Sequence, residues 1–192
     1  MPTSPNVNNY HIGKGIVSFK EAGGSTFVDL GNAPAFVYTP TVEKVEHFSS
    51  REGVKTKDFT AITQVGATIK VTLDEITGDN LAIFALGDID TTTPGEAVIS
   101  GLSKAEFKGD IKVTGTNDIG QQVDFEATVS FVPSGDFSFI TSEDEFSTIE
   151  LEAEVQKHAT TGDFGTWTVR DEPAGMVRNK PAGTVRDEPA GT

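Results

Sequence analysis

Apolar and polar residues alternate in short runs through most of this chain, and Gly, Pro, Asn, Asp and Ser separate the runs. A period of two places successive side chains on opposite faces of a strand, whereas a helix needs apolar positions three and four apart. The pattern predicts strands at 15–19, 35–38, 42–48, 68–76, 97–99, 105–114, 123–132, 137–140 and 146–155. The clearest run is Ile149-Glu-Leu-Glu-Ala-Glu-Val155. On a strand, Ile149, Leu151, Ala153 and Val155 share one face, while Glu150, Glu152 and Glu154 share the other. That strand should have one wet acidic face.

One segment departs from the alternation. Residues 78–87 place Leu81, Phe84 and Ala85 at helical spacing, with Thr77 or Asp79 available as the N-cap and Gly87 suited to a left-handed C-cap. A short helix is expected there, followed by a loop at 88–95. Strands joined by short polar turns, with a single helix, predict a mainly β fold: an antiparallel β-sandwich or barrel with one short flanking α-helix. Between two good strands lies a longer stretch, 48–59, with Gly53 marking a reversal. It is read as a long hairpin loop.

Composition limits the chemistry. The 192 residues include no cysteine, which excludes disulfides, Cys-based zinc sites and a cysteine nucleophile. The longest apolar run, Leu81 to Leu86, is far short of the ~20 residues of a membrane span, and the first ten residues lack the organisation of a signal peptide. The chain is expected to be soluble, to start in a cytoplasm and to have no membrane partner. Its net charge is −14. An acidic balance opposes nucleic-acid binding, which depends on Lys and Arg displacing counterions.

Charge and repetition divide the chain in two. Three eight-residue units, Val169 to Met176, Val177 to Thr184 and Val185 to Thr192, share the pattern Val-Arg-x-x-Pro-Ala-Gly-x. So few apolar groups cannot offset the entropy of ordering them, and the prolines prevent a continuous helix. Residues 170–192 are therefore read as a flexible repeat tail, and 1–169 as the β domain. Acidic and basic residues balance within the tail, so the −14 belongs to the body. Against that acidity, Arg51, Lys55 and Lys57 cluster in the 48–59 loop. The loop is read as either a contact element for an acidic surface or a solvated hairpin with ordinary charges.

No catalytic constellation emerges. Gly13 and Gly15 begin a dinucleotide fingerprint, but Ser18 stands where its third glycine belongs. The acidic loop 88–96 has Thr93 where a calcium loop needs glycine. His11, His47 and His158 are widely separated, and no Gly-x-Ser-x-Gly elbow occurs. Paired carboxylates such as Asp144 with Glu145, or Glu150 with Glu152, could be imagined as a hydrolase pair, but Trp167, Tyr10 and Tyr38 are a thin supply for sugar stacking. No enzyme activity, metal or cofactor is expected.

The order of parts carries a resemblance. Val45-Glu-His-Phe-Ser-Ser-Arg-Glu-Gly53, then Val54 to Asp58 and a return strand, then Thr72 to Thr77 leading into Asn80 to Gly87, resembles the tail tube proteins of long-tailed bacteriophages. Phe146 to Val155 followed by Phe164 to Val169 is similar to the closing strands of that family. The resemblance covers roughly residues 10–169. It implies a subunit of hexameric rings stacked into a hollow tube, which encloses a tape-measure protein and later conducts DNA without binding it specifically. Its partners would be further copies of itself, the tape-measure protein and the tail tip and terminator proteins. It would reside in the virion tail, assembled in the host bacterial cytoplasm. The resemblance assigns subunit and ring-stacking contacts to Ser49, Ser50, Arg51, Glu52, Gly53, Val54, Lys55, Thr56, Lys57 and Asp58. Glu150, Glu152 and Glu154 are candidates for the lumen wall, where carboxylates would repel the polyanion, or for the solvent side. The tube of a contractile or secretion-type apparatus and an adhesive β-sandwich module remain as alternatives.

Overall fold

The computed structural model describes residues 4–5, 10–51, 53–116, 121–132, 135–140 and 146–170. Among them the elements run β1 (Gly15–Glu21), β2 (Val28–Asp29), β3 (Ala35–Ser49), β4 (Thr56–Leu73), α1 (Gly78–Phe84), β5 (Asp88–Asp90), β6 (Val98–Ser100), β7 (Phe107–Gly115), β8 (Gln122–Val132), β9 (Ile149–Val155) and β10 (Thr166–Arg170). The chain is mainly β, its strand pairs are antiparallel, and it carries a single short helix among the described residues. The main sheet runs β2-β1-β7-β8-β9-β4-β3, and β5 pairs with β6 separately.

Strand β8 organises this sheet. Its residues Val129 to Val132 pair with β9, while Gln122 to Glu126 pair with β10. The sheet divides there and folds over itself, so that Phe36 and Tyr38 of β3 meet Phe125 of β8, and Tyr38 meets Trp167 of β10. Between the halves lie Val17, Phe19, Ile69, Val71, Leu73, Ile111, Val129, Phe131 and Ile149, all buried. These are alternate residues of their strands, each stabilising the fold by about 1.5–3 kcal/mol on full burial. The result is the sandwich that the alternation predicts.

The helix closes one end of the core. Thr77 caps it, its Oγ1 accepting the Asn80 N–H at 3.1 Å. Its exit departs from the sequence reading: Leu86, not Gly87, takes the left-handed conformation, with φ of 46°. The Leu86 N–H donates to the Ile83 carbonyl and the Gly87 N–H to the Ala82 carbonyl, the paired bonds of a Schellman motif. Burial of the Leu86 side chain holds it there. Glycine at 87 answers a different need, since a Cβ would stand 2.8 Å from both Ile99 Cγ2 and the Ser100 carbonyl oxygen. Asn80 is buried and ties the helix to the sheet, its Nδ2 donating to the Leu30 and Glu75 carbonyls at 2.9 Å each.

Other boundaries move for physical reasons. Segments 35–38 and 42–48 form one strand through Pro40, because β3 is terminal in the sheet, where a residue without an N–H is tolerated. The expected loop at 48–59 shrinks to the connection 50–55, since Phe48 pairs with Lys57 and Ser49 with Thr56. Asp88 to Asp90, read as loop, pairs with β6. Residues 137–140 form no strand. Both edges of β8 are taken at that end, and Phe137 packs instead on Phe84 and Phe139. Arg170, placed in the tail by the sequence reading, ends β10. The rest of the repeat region, 171–192, lies outside the described residues, as do Asp144 and Glu145.

Candidate functional site

Two surfaces stand out, an arm and a charged sheet face. The arm arises because β4 pairs with β9 only over Thr68 to Leu73, whereas it pairs with β3 along its whole length. Residues 41–49 and 56–66 thus leave the sandwich as a two-stranded ribbon roughly 30 Å long, at about 3.4 Å per residue. Register shifts at Glu43/Lys44 and His47/Phe48 bulge and twist it. Neither face is covered. Val42, Val45, Phe48, Phe59, Ile62 and Val65 are exposed along the ribbon, and Val54 is exposed in the connection.

The assembly residues named from sequence gather at this tip. Ser49 ends β3, Ser50, Arg51, Gly53, Val54 and Lys55 form the connection, and Thr56, Lys57 and Asp58 begin β4. Glu52 lies outside the described residues. The tip's positive charge is partly spent within the chain, because Lys57 Nζ donates to Glu46 Oε1 at 3.0 Å. Asp58 lies 2.6 Å from His47 Nδ1. Arg51 and Lys55 have no ion-pair partner among the described residues.

The second surface is the outward face of the sheet. Ile149, Leu151, Ala153 and Val155 of β9 point into the core, and Glu150, Glu152 and Glu154 point away from it. Lys70, opposite Glu152 on β4, pairs with it at 3.0 Å. The sequence reading missed this counter-charge because strand pairing, not spacing along the chain, places it. Asp110, Asp124 and Glu126 continue the acidic character across β7 and β8, where they line a groove of about 390 Å³ with Lys112, His158 and Asp163.

Local partners control these carboxylates. Burial pushes the Asp110 carboxyl upward, but hydrogen bonds from Lys20 and Thr128 outweigh it and hold the group below its usual range. Asp124 behaves alike: burial raises it, while Arg170 and the Gly115 N–H lower it further. His158 Nδ1 accepts from the Thr161 N–H at 3.2 Å and so serves the turn after β9. His11 lies by the Gln121 carbonyl and His47 by Asp58, so the three histidines serve separate places. Among the described residues, no group of three or more His, Asp or Glu is arranged to hold a metal, and no helix is long and apolar enough to cross a membrane.

No curated protein sequence matches this chain. Among solved structures it is similar to a chain of the anti-feeding prophage (AFP) baseplate, determined by cryo-EM with six-fold symmetrisation. The TM-score is 0.54 at 11% identity, covering 87% of this chain and 97% of that one. Weaker likenesses are to an extracellular contractile injection system, the PVC sheath-tube complex in its extended state (TM-score 0.49, 12% identity, 83% and 90% covered), and to the tail of an empty GTA particle (0.46, 14%, 80% and 94%). At such identities, the first likeness establishes a shared fold. A family model described as "Protein of unknown function UCP028589" matches residues 10–128. That match spans more than half of the chain, which therefore belongs to this family.

Proposed function

We propose that this chain is a non-enzymatic structural subunit of a bacteriophage tail tube, polymerising as stacked hexameric rings into a hollow conduit for DNA ejection. The bare arm carries the reading. A two-stranded ribbon is marginal in water on its own, and this one exposes large apolar side chains on both faces. Such a ribbon gains its stability from a neighbour. The outer edge of β3 has no strand beside it among the described residues, so a ring of copies would remove a liability that a lone subunit carries. Head-to-tail stacking of rings is a contact that does not close, and it extends into a tube.

On this reading Arg51 and Lys55 face carboxylates of the next copy. Glu150, Glu152 and Glu154 line the lumen, where they keep DNA sliding rather than bound. The tape-measure protein occupies the lumen before ejection, the tip and terminator proteins bound the polymer, and the particle is assembled in the bacterial cytoplasm. The fold shared with a chain of a six-fold symmetrised baseplate supports a ring-forming role. Because that chain belongs to a baseplate, the tube of a contractile or secretion-type apparatus is the second reading.

Electron microscopy of the concentrated full-length protein, with light scattering on the same sample, tests the proposal. Hollow rings or tubes about 100 Å wide are expected from a ring of ~20 kDa domains. A particle that stays monomeric at all concentrations, even with the neighbouring tail proteins added, would overturn it in favour of the adhesive module.

A further inference from the structure

The first repeat unit begins inside the described fold. Its Val169 pairs with Val123 across β10 and β8, and its Arg170 Nη2 donates to Asp124 Oδ1 at 2.6 Å. A Val-Arg pair is thus docked on a strand edge that offers Val followed by Asp. Val123 is on the core side, level with Phe125, and Asp124 is on the outer side, where its Oδ1 also accepts the Gly115 N–H at 2.9 Å. The sequence repeats the Val-Arg pair at Val177-Arg178 and Val185-Arg186.

A second edge of the same chemistry exists at the far end of the sheet. Strand β2 consists of Val28 and Asp29, and no strand pairs with its outer side among the described residues. Val28 lies opposite the buried Phe19, hence on the core side, and Asp29 lies opposite Ser18 on the outer side. Asp29 Oδ1 accepts the Gly31 N–H two residues on at 2.9 Å, a local turn contact, whereas the Gly115 N–H reaches Asp124 from the neighbouring strand. Val28 is half exposed, and Asp29 makes no ion pair among the described residues.

We infer that the C-terminal repeats are strand-docking ligands, and that Val177-Arg178 and Val185-Arg186 bind the Val28–Asp29 edge of a second copy of this chain. They cannot replace the first unit on β8. That unit is anchored by Trp167, two residues before Val169, which packs on Phe125 and Tyr38, whereas glycine holds the same position in the later units, at 175 and 183. Each chain has two spare units and one β2 edge, so in a collection of copies every edge can be filled by one unit of a neighbouring chain. An extended eight-residue repeat reaches up to ~26 Å, enough to cross between packed domains. Backbone pairing supplies affinity, while Val and Arg supply the choice of site. The inference does not depend on tube formation.

The test uses a fluorescent peptide of residues 177–192 titrated onto the full-length protein carrying Arg178→Glu and Arg186→Glu, so that its own tail does not compete. Saturable anisotropy below about 1 mM is expected. Reversing both peptide arginines to Glu should weaken binding at least tenfold, and so should Asp29→Lys in the protein. On an Asp29→Lys protein that keeps Arg178 and Arg186, so that its own tail is mismatched and does not compete, the reversed peptide should recover affinity, which separates a lost charge contact from a damaged edge. No saturation by that concentration, or affinity unmoved by both reversals, would overturn the inference.

Discussion

Replacing Val45 and Phe59 by Ser asks whether the arm is an assembly element. Cross-strand pairing of Val45 with Ala61 and of His47 with Phe59 puts Val45 and Phe59 on one face of the ribbon, where they are 59% and 64% exposed. Full burial of such a side chain contributes about 1.5–3 kcal/mol. With roughly three-fifths of each still in water, about 1–2 kcal/mol per side chain remains to be gained in a contact, or about 2–4 kcal/mol per arm. At tenfold per ~1.4 kcal/mol, the double variant should raise the concentration needed for assembly by roughly 30-fold to several hundred-fold. Folding should lose no more than about 1 kcal/mol per site, because little of either side chain is buried in the subunit. Sedimentation against concentration reads the first effect, and urea unfolding followed by circular dichroism reads the second. Polymers at the wild-type threshold would refute the reasoning. A variant that fails to fold would place the arm in the core rather than at an interface.

Four further outcomes follow from particular contacts. Lys55→Glu with Lys57→Glu should leave unfolding within about 1 kcal/mol of wild type, since the one ion pair lost among the described residues is the partly exposed Lys57–Glu46 pair, yet should impair polymer formation by light scattering. Asn80→Ala should destabilise by about 2–3 kcal/mol in chemical denaturation, because the Leu30 and Glu75 carbonyls lose their donor. Gly87→Ala should cost about 1–3 kcal/mol through its clash with Ile99 and Ser100, measured the same way. Asp124 has a folded pKa below its ordinary 3.8, so its contribution is full above that value and is lost as pH falls through the folded one. Asp124→Asn should therefore be less stable at pH 7 and should show a shallower loss of stability below about pH 4 in acid titrations.

Alternation made the core strands legible, since Val17, Phe19, Ile69, Val71, Ile111 and Val129 are buried at every second position. The Thr77 cap was legible for a related reason, because a hydroxyl at that point answers the free N–H groups of the first helical turn. What escaped is set by tertiary partners. Residues 137–140 alternate like a strand but find no free edge, while Asp88 to Asp90 look like loop yet meet β6. The arm's basic residues were readable, but the holding of Lys57 by Glu46 follows from a bulged register that no spacing rule reveals. The acidic face was readable from β9 alone, whereas Lys70 and the Asp110–Asp124 groove come from strands far apart in sequence.

The division of the sheet along β8 has an optical consequence. The two halves meet at a seam held by Tyr38, Phe125 and Trp167, and by the Tyr38 hydroxyl donating to the Phe164 carbonyl at 2.9 Å, rather than by a backbone ladder. The chain contains one tryptophan, and it stands in that seam with its ring 4.8 Å from Tyr38 and 4.9 Å from Phe125. Tyr38 lies on β3, the same strand that continues into the arm. Separation of the two halves would strip both rings from the indole, so the emission of this single native fluorophore should report on the joint, without any added label.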